Sequence, residues 1–147
     1  MNYSEEIKGF VSHGVRNLTP GECYRLAETG KITIVDVREK YLTNFRKFGT
    51  RGVIFLPFSR LADEYRTLPG EGRFFVFADS AGLKSREAVL YLMGKGYENV
   101  FNMAGGFVEW ARDGLPVETD RQYRLSGSCM CQIKAREKDK QEKKNKK

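Results

Sequence analysis

Short apolar runs rich in β-branched and aromatic residues alternate along this chain with stretches of helical spacing. That alternation predicts an α/β fold, a small domain built on a mainly parallel sheet with helices on both faces. Two further observations support it. The run Phe74-Phe75-Val76-Phe77 is continuous rather than alternating, which suits a strand buried on both sides. In addition, 147 residues, 40% of them hydrophobic, suffice for one sizeable core and are too few for two.

Taken in order, residues 1–17 read as a leader. Ile7, Phe10 and Val11 share the i, i+3, i+4 spacing of a short amphipathic turn, expected to pack on the domain edge. His13 is the single histidine, so no histidine cluster can form, and it reads as a surface residue. Leu18-Thr19-Pro20-Gly21-Glu22 then starts a helix, with Thr19 as N-cap, Pro20 at the first helical position and Glu22 reaching back as the acid of a capping box. That helix should run to about Glu28 or Thr29 and stop at Gly30. Cys23, Leu26 and Ala27 share its inner face, which makes Cys23 a small core residue rather than a reactive thiol.

Lys31 to Glu39 reads as a β-branched strand that ends in charge, and Val53 to Phe55 as a short one ended by Pro57, which lacks the donor a ladder needs. Residues 58–66, with Phe58 and Leu61 among polar neighbours, predict a short helix, and Leu68 to Gly72 a turn. After the central strand, a helix over about Ser85 to Met93 turns Val89, Leu92 and Met93 inward and ends near Gly94 or Gly96. Tyr97 to Met103 contains another strand. A last helix opens at Ala104-Gly105-Gly106, and its Trp110 reads as a core anchor.

The stretch with chemistry in it is the connection from the central strand to its helix, Asp79-Ser80-Ala81-Gly82-Leu83-Lys84-Ser85. In so short a strand-to-helix loop, the amides of residues 80–85 can turn inward beside the orphan amides of the helix N-terminus and form a cradle for a small anion. Asp79 stands at its entrance and Lys84 near its end.

Several motifs resemble those of the rhodanese (sulfurtransferase) family. They are Asp36-Val37-Arg38-Glu39, the segment holding Gly52, Ile54 and Pro57, the loop with Gly82 and Ser85, Gly105-Gly106 followed four residues after the second glycine by Trp110, and the exit Gly114-Leu115-Pro116-Val117-Glu118. They occur in the family's order and cover residues 18–118, about two thirds of the chain. The resemblance implies a loop of pattern Cys-x-x-Gly-x-Arg-Ser whose cysteine carries a persulfide. Here Lys84 is a like-charged substitute for the arginine, and Asp79 stands in the cysteine's register. Functional groups of a parallel sheet gather beyond the carboxyl ends of its strands, so Asp36 and Arg38 are expected beside the loop, either serving it or bracing its neighbours through an ion pair.

A carboxylate cannot hold a transferable sulfur. In that register Asp79 places negative charge where the amides and Lys84 favour it, and it repels thiosulfate-like anions. The chain is therefore expected to lack thiosulfate sulfurtransferase activity and to act as a binding or regulatory module, a role the family includes, for a protein or sulfur-carrier partner. No cofactor or metal is expected. An Asp79-centred hydrolase would need a metal and further carboxylates, and no such cluster is visible in the sequence. The candidate thiols are Cys129 and Cys131, set in the small-residue segment Ser126 to Cys131 ahead of a basic run that favours their ionisation, and the alternative expectation is an atypical sulfurtransferase or thiol redox protein that uses them.

Residues 119–147 read as a flexible tail. Residues 132–147 hold eight Lys or Arg against three acids, so they carry five of the seven net positive charges and leave a near-neutral body. This argues against a nucleic-acid-binding domain and for a solvated basic tail. An odd count of three cysteines, no signal-like start and no apolar run of membrane-spanning length lead to the expectation of a cytoplasmic protein.

Overall fold

The computed structural model describes residues 7–69 and 72–120. Its frame is a six-stranded sheet of order β1-β2-β7-β6-β3-β5. The strands are β1 (Phe10–Ser12), β2 (Val15–Leu18), β3 (Thr33–Asp36), β5 (Ile54–Phe55), β6 (Phe75–Ala78) and β7 (Val100–Met103). β1 pairs antiparallel with β2, and every other pairing in this sheet is parallel. A two-stranded antiparallel ribbon, β4 (Arg46–Phe48) with β8 (Val117–Thr119), stands apart from it.

Parallel pairing forces crossovers, and helices supply them on both faces. These are α1 (Pro20–Glu28), α2 (Lys40–Thr43), α3 (Leu61–Glu64, flanked by 3-10 turns over Phe58–Arg60 and Tyr65–Thr67), α4 (Leu83–Gly94) and α5 (Gly106–Arg112). The period of two along each strand divides the core. Val76 and Ala78 of β6 join Ile34, Phe101 and Met103 under α1 and α5. Phe75 and Phe77 join Val35, Val15 and Val100 under α3 and α4. All four residues of β6 are buried, as its continuous apolar run predicts.

α1 has the expected box: Glu22 N–H donates to Thr19 Oγ1 at 3.2 Å, and Thr19 N–H donates to Glu22 Oε1 at 2.9 Å. Cys23 is fully buried, and burial, with Glu22 adding, pushes its thiol well above the ordinary range. Trp110 is also fully buried, its Nε1–H donating to Pro116 O at 2.7 Å.

Two local expectations need correction. The spacing of Ile7, Phe10 and Val11 does not make a helical turn. Ile7 is buried, whereas Phe10 and Val11 are exposed on β1, the outer strand of a hairpin that turns through His13 (φ 54°) and Gly14 (φ 82°). The inner face of α4 is Ser85, Ala88, Val89 and Leu92, while Met93 is 45% exposed. Among the described residues no helix is long and apolar enough to cross a membrane.

Candidate functional site

β3 and β6 are neighbours in register, Asp36 opposite Ala78, so the chain leaves both strands at the same end of the sheet. At the end of β6 the backbone passes through Asp79 to Ser80 and Ala81, turns at Gly82 (φ 95°) and enters α4 at Leu83. Side-chain capping of α4 from Gly82 is absent, so its first amides need an acceptor from elsewhere.

Asp79 supplies it. Its Oδ2 accepts the Lys84 N–H at 2.8 Å and its Oδ1 accepts the Gly82 N–H in a short hydrogen bond. Asp79 is 8% exposed, and its carboxylate lies within the loop rather than at its entrance. Ser85 Oγ is 3.3 Å from Asp79 Oδ1 and 2.5 Å from Asn102 Oδ1, and its single proton serves the shorter contact. The charge thus rests on two backbone dipoles and a helix N-terminus, a setting that favours an anion without any cation.

Of the amides at 80–85, those of Gly82 and Lys84 face the carboxylate. The Lys84 ammonium does not. It lies 4.9 Å over the Phe58 ring, so this residue serves the cradle through its backbone, contrary to the expectation from its charge. Leu83 and Ala81 are exposed on the rim.

The two glycines after β7 close the other wall. Phe107 N–H donates to Asp79 O at 2.8 Å and Val108 N–H to Ser80 O at 3.0 Å. Gly106 (φ 60°) approaches so closely that a Cβ there would come 2.4 Å from Asp79 O and 2.7 Å from Ser80 O. Only glycine fits.

Asp36 and Arg38 are beside the loop but do not enter it. Arg38 Nε and Nη2 donate to Asp36 Oδ1 and Oδ2 at 3.0 and 2.8 Å, and Nη2 also donates to Arg46 O at 2.9 Å. The guanidinium lies 4.2 Å over the ring of Phe107, the residue whose backbone N–H donates to Asp79 O. This is the geometry of a brace. Asn102 and Asn17, which the sequence reading did not single out, are buried and tie Ser85 and Gly82 to β2. The available signal was Asn102, the one polar residue of an otherwise apolar strand; Asn17, next to Arg16 in β2, carried no such signal.

Cys129 and Cys131 lie outside the described residues. Among the described residues no group of three or more His, Cys, Asp and Glu is placed to hold a metal ion. A groove lined by Arg16, Phe74, Tyr97 and Asn99 opens at the amino ends of β6 and β7, away from the loop.

Residues 19–113 match the rhodanese-like domain. The chain belongs to the rhodanese-like family. It is 32% identical over 108 residues to the thiosulfate sulfurtransferase GlpE of Haemophilus influenzae, covering 71% of this chain and 95% of that protein. It is 31% identical over 93 residues to a sulfurtransferase of Allochromatium vinosum, covering 63% and 84%. Among solved structures, a rhodanese-related protein of Thermoplasma volcanium superposes with a TM-score of 0.63 at 25% identity, over 71% of this chain and 99% of that one. The mainly parallel α/β fold and the relation to sulfurtransferases are thereby established.

Proposed function

We propose that this rhodanese-like domain does not carry sulfur on its strand-to-helix loop, because Asp79 occupies the register of the family's cysteine, and that it works as a binding or regulatory module. The observation that carries this reading is the pair of amide hydrogen bonds from Gly82 and Lys84 to the Asp79 carboxylate. The cradle is filled by the chain's own anion, and an incoming thiosulfate would meet both a taken site and a like charge. The occupied loop, its exposed rim and the basic run at 134–147 are then surfaces for a protein partner.

The test is intact mass after incubation with thiosulfate and, separately, with a persulfide donor. The wild type should gain no sulfur at the loop, and Asp79→Cys should gain one sulfur atom. A loop-borne sulfur on the wild type, located by peptide mapping, would overturn the reading, as would an Asp79→Cys variant that folds and stays unmodified.

A second reading has Cys129 and Cys131 as the sulfur-carrying or redox thiols, and the position of the chain's exit favours it. Asp120 N–H donates to Phe45 O at 2.9 Å, next to Arg46, whose guanidinium lies 5.5 Å over the ring of Phe107, the residue whose backbone N–H donates to Asp79 O. The nine steps from Asp120 to Cys129 span about 30 Å when extended, enough to return to the loop mouth. Sulfur gained by the wild type and lost in Cys129→Ser/Cys131→Ser would establish this route. Equal mass gains for the two would eliminate it.

A further inference from the structure

A line of buried polar side chains runs from the loop to the N-terminal hairpin. Ser85, Asn102 and Asn17 are all no more than 5% exposed. Asn102 Oδ1 accepts the Ser85 hydroxyl at 2.5 Å. Its Nδ2 donates to Asn17 Oδ1 at 2.9 Å and lies 3.4 Å from Gly82 O. Asn17 Nδ2 in turn donates to Val15 O at 3.1 Å and to Phe10 O at 3.3 Å. The parallel ladder makes this pairing by placing Asn17 opposite Asn102.

Buried amides are costly unless paired, and a fully paired network holds one geometry. Asn102 has only one orientation that places an acceptor toward the serine hydroxyl and donors toward Asn17 and Gly82. Gly82 is consequently held from two sides, its N–H by Asp79 and its C=O by Asn102. Truncating Asn17 would leave a buried Asn102 donor without its best acceptor and free the Asn102 amide to turn away from Gly82 and Ser85. Asn17 precedes the stretch 19–113 that matches the family, so this link lies outside that match.

We propose that Asn17 is a positioning residue for the loop: acting through Asn102, it orients Gly82 and Ser85, so the N-terminal hairpin is a working part of the anion cradle. The inference rests on the reading of the loop as an anion cradle. Its test separates the two.

The comparison is Asn17→Ala against Val15→Ala. Val15 is in the same strand and also buried, but its apolar side chain packs in the cluster under α3 and α4 and makes no hydrogen bond in the relay. In the otherwise wild-type chain, Asn17→Ala should speed amide hydrogen exchange at Gly82 and Lys84 about tenfold more than Val15→Ala does at matched loss of Tm. Both changes are then placed in Asp79→Cys. There the introduced thiolate attacks the sulfane sulfur of thiosulfate, forming one S–S bond, breaking another and releasing sulfite, with no net proton change. Asn17→Ala should slow that loading about tenfold and move the pH midpoint of alkylation upward by about one pH unit, since the amides that stabilise the thiolate are misplaced. Val15→Ala should change neither. Should Asn17→Ala fail to fold, Asn17→Ser, which removes the amide and keeps a polar atom, enters the same comparison.

Faster exchange at Gly82 and Lys84 in Asn17→Ala, with no sulfur on Asp79→Cys, would sink the cradle reading and leave the positioning role standing. Loading of Asp79→Cys with Asn17→Ala indistinguishable from Val15→Ala in exchange, midpoint and rate would overturn the positioning role.

Discussion

Asp36 and Asp79 close two adjacent parallel strands, and the protein neutralises them in opposite ways. Asp36 is fully buried and meets a cation, with Arg38 gripping both its oxygens while the guanidinium stacks on Phe107. Asp79 is slightly less buried and, among the described residues, meets no cation. Two amides and the start of α4 hold it instead. An ion pair commits both partners to each other and leaves nothing for a ligand. An amide cradle is indifferent to which anion fills it, so the same backbone that holds a carboxylate here could hold another anion were the carboxylate gone. The end of β3 is therefore a brace, and on the proposed reading the end of β6 is an anion cradle with its occupant built in.

The largest effect should come from breaking the brace. Arg38→Met leaves the Asp36 charge buried and unpaired, a loss of about 3–5 kcal/mol that urea unfolding would register. Adding Asp36→Asn should recover much of it. A double variant as unstable as the single one would show that the pair is not what Arg38 contributes. Next, Gly106→Ala should cost about 3 kcal/mol, because a Cβ at φ 60° would strike the carbonyls of Asp79 and Ser80, and the damage should appear as faster exchange of the Phe107 and Val108 amides. An unchanged urea midpoint would show that the loop can move aside.

Emptying the cradle is milder and more informative. Asp79→Ala should lose about 1–3 kcal/mol, the worth of charge-assisted bonds to Gly82 and Lys84. Sulfate should then shift the resonances of those two amides in the variant and leave them alone in the wild type. Equal response of both chains would remove the distinction between brace and receptor. The smallest effect concerns Cys23. Burial holds its thiol protonated in the folded chain, so raising the pH past the ordinary thiol range near 9 favours unfolding slightly and never exposes a thiolate in the native state. In a Cys129→Ser/Cys131→Ser background, iodoacetamide at about pH 8 should label Cys23 only after denaturant is added. Labelling of the native chain would show that α1 opens.

Much of this was legible along the chain. Thr19, Pro20 and Glu22 announce α1 because capping is local chemistry, and Phe75 to Phe77 announce the central strand because burial on both faces needs an unbroken apolar run. Gly105-Gly106 was visible along the chain as a helix start and a motif, while the Asp79 and Ser80 carbonyls that crowd Gly106 came with the fold. Phe10 and Val11 misled, since two apolar residues fit a turn as well as a strand. What made them a strand was a turn at His13-Gly14 together with the open edge of β7, whose backbone groups β2 could pair. The ribbon of β4 and β8 escaped notice for a related reason. Arg46-Lys47-Phe48 has no strand pattern of its own and gains one only from residues 117–119, about seventy positions later.

By itself the sequence determined the family, the α/β order of elements and the presence of a carboxylate in the strand-to-helix loop, all of which rest on local spacing, capping and motif order. Tertiary structure alone decided that Asp79 turns inward onto the Gly82 and Lys84 amides, that the Lys84 ammonium turns away to Phe58, and that Asn17 reaches the loop through Asn102. Those outcomes depend on which groups the strand register and the close approach of Gly106 bring within hydrogen-bonding distance. Direction and distance between residues far apart in the chain do not exist until the sheet is assembled.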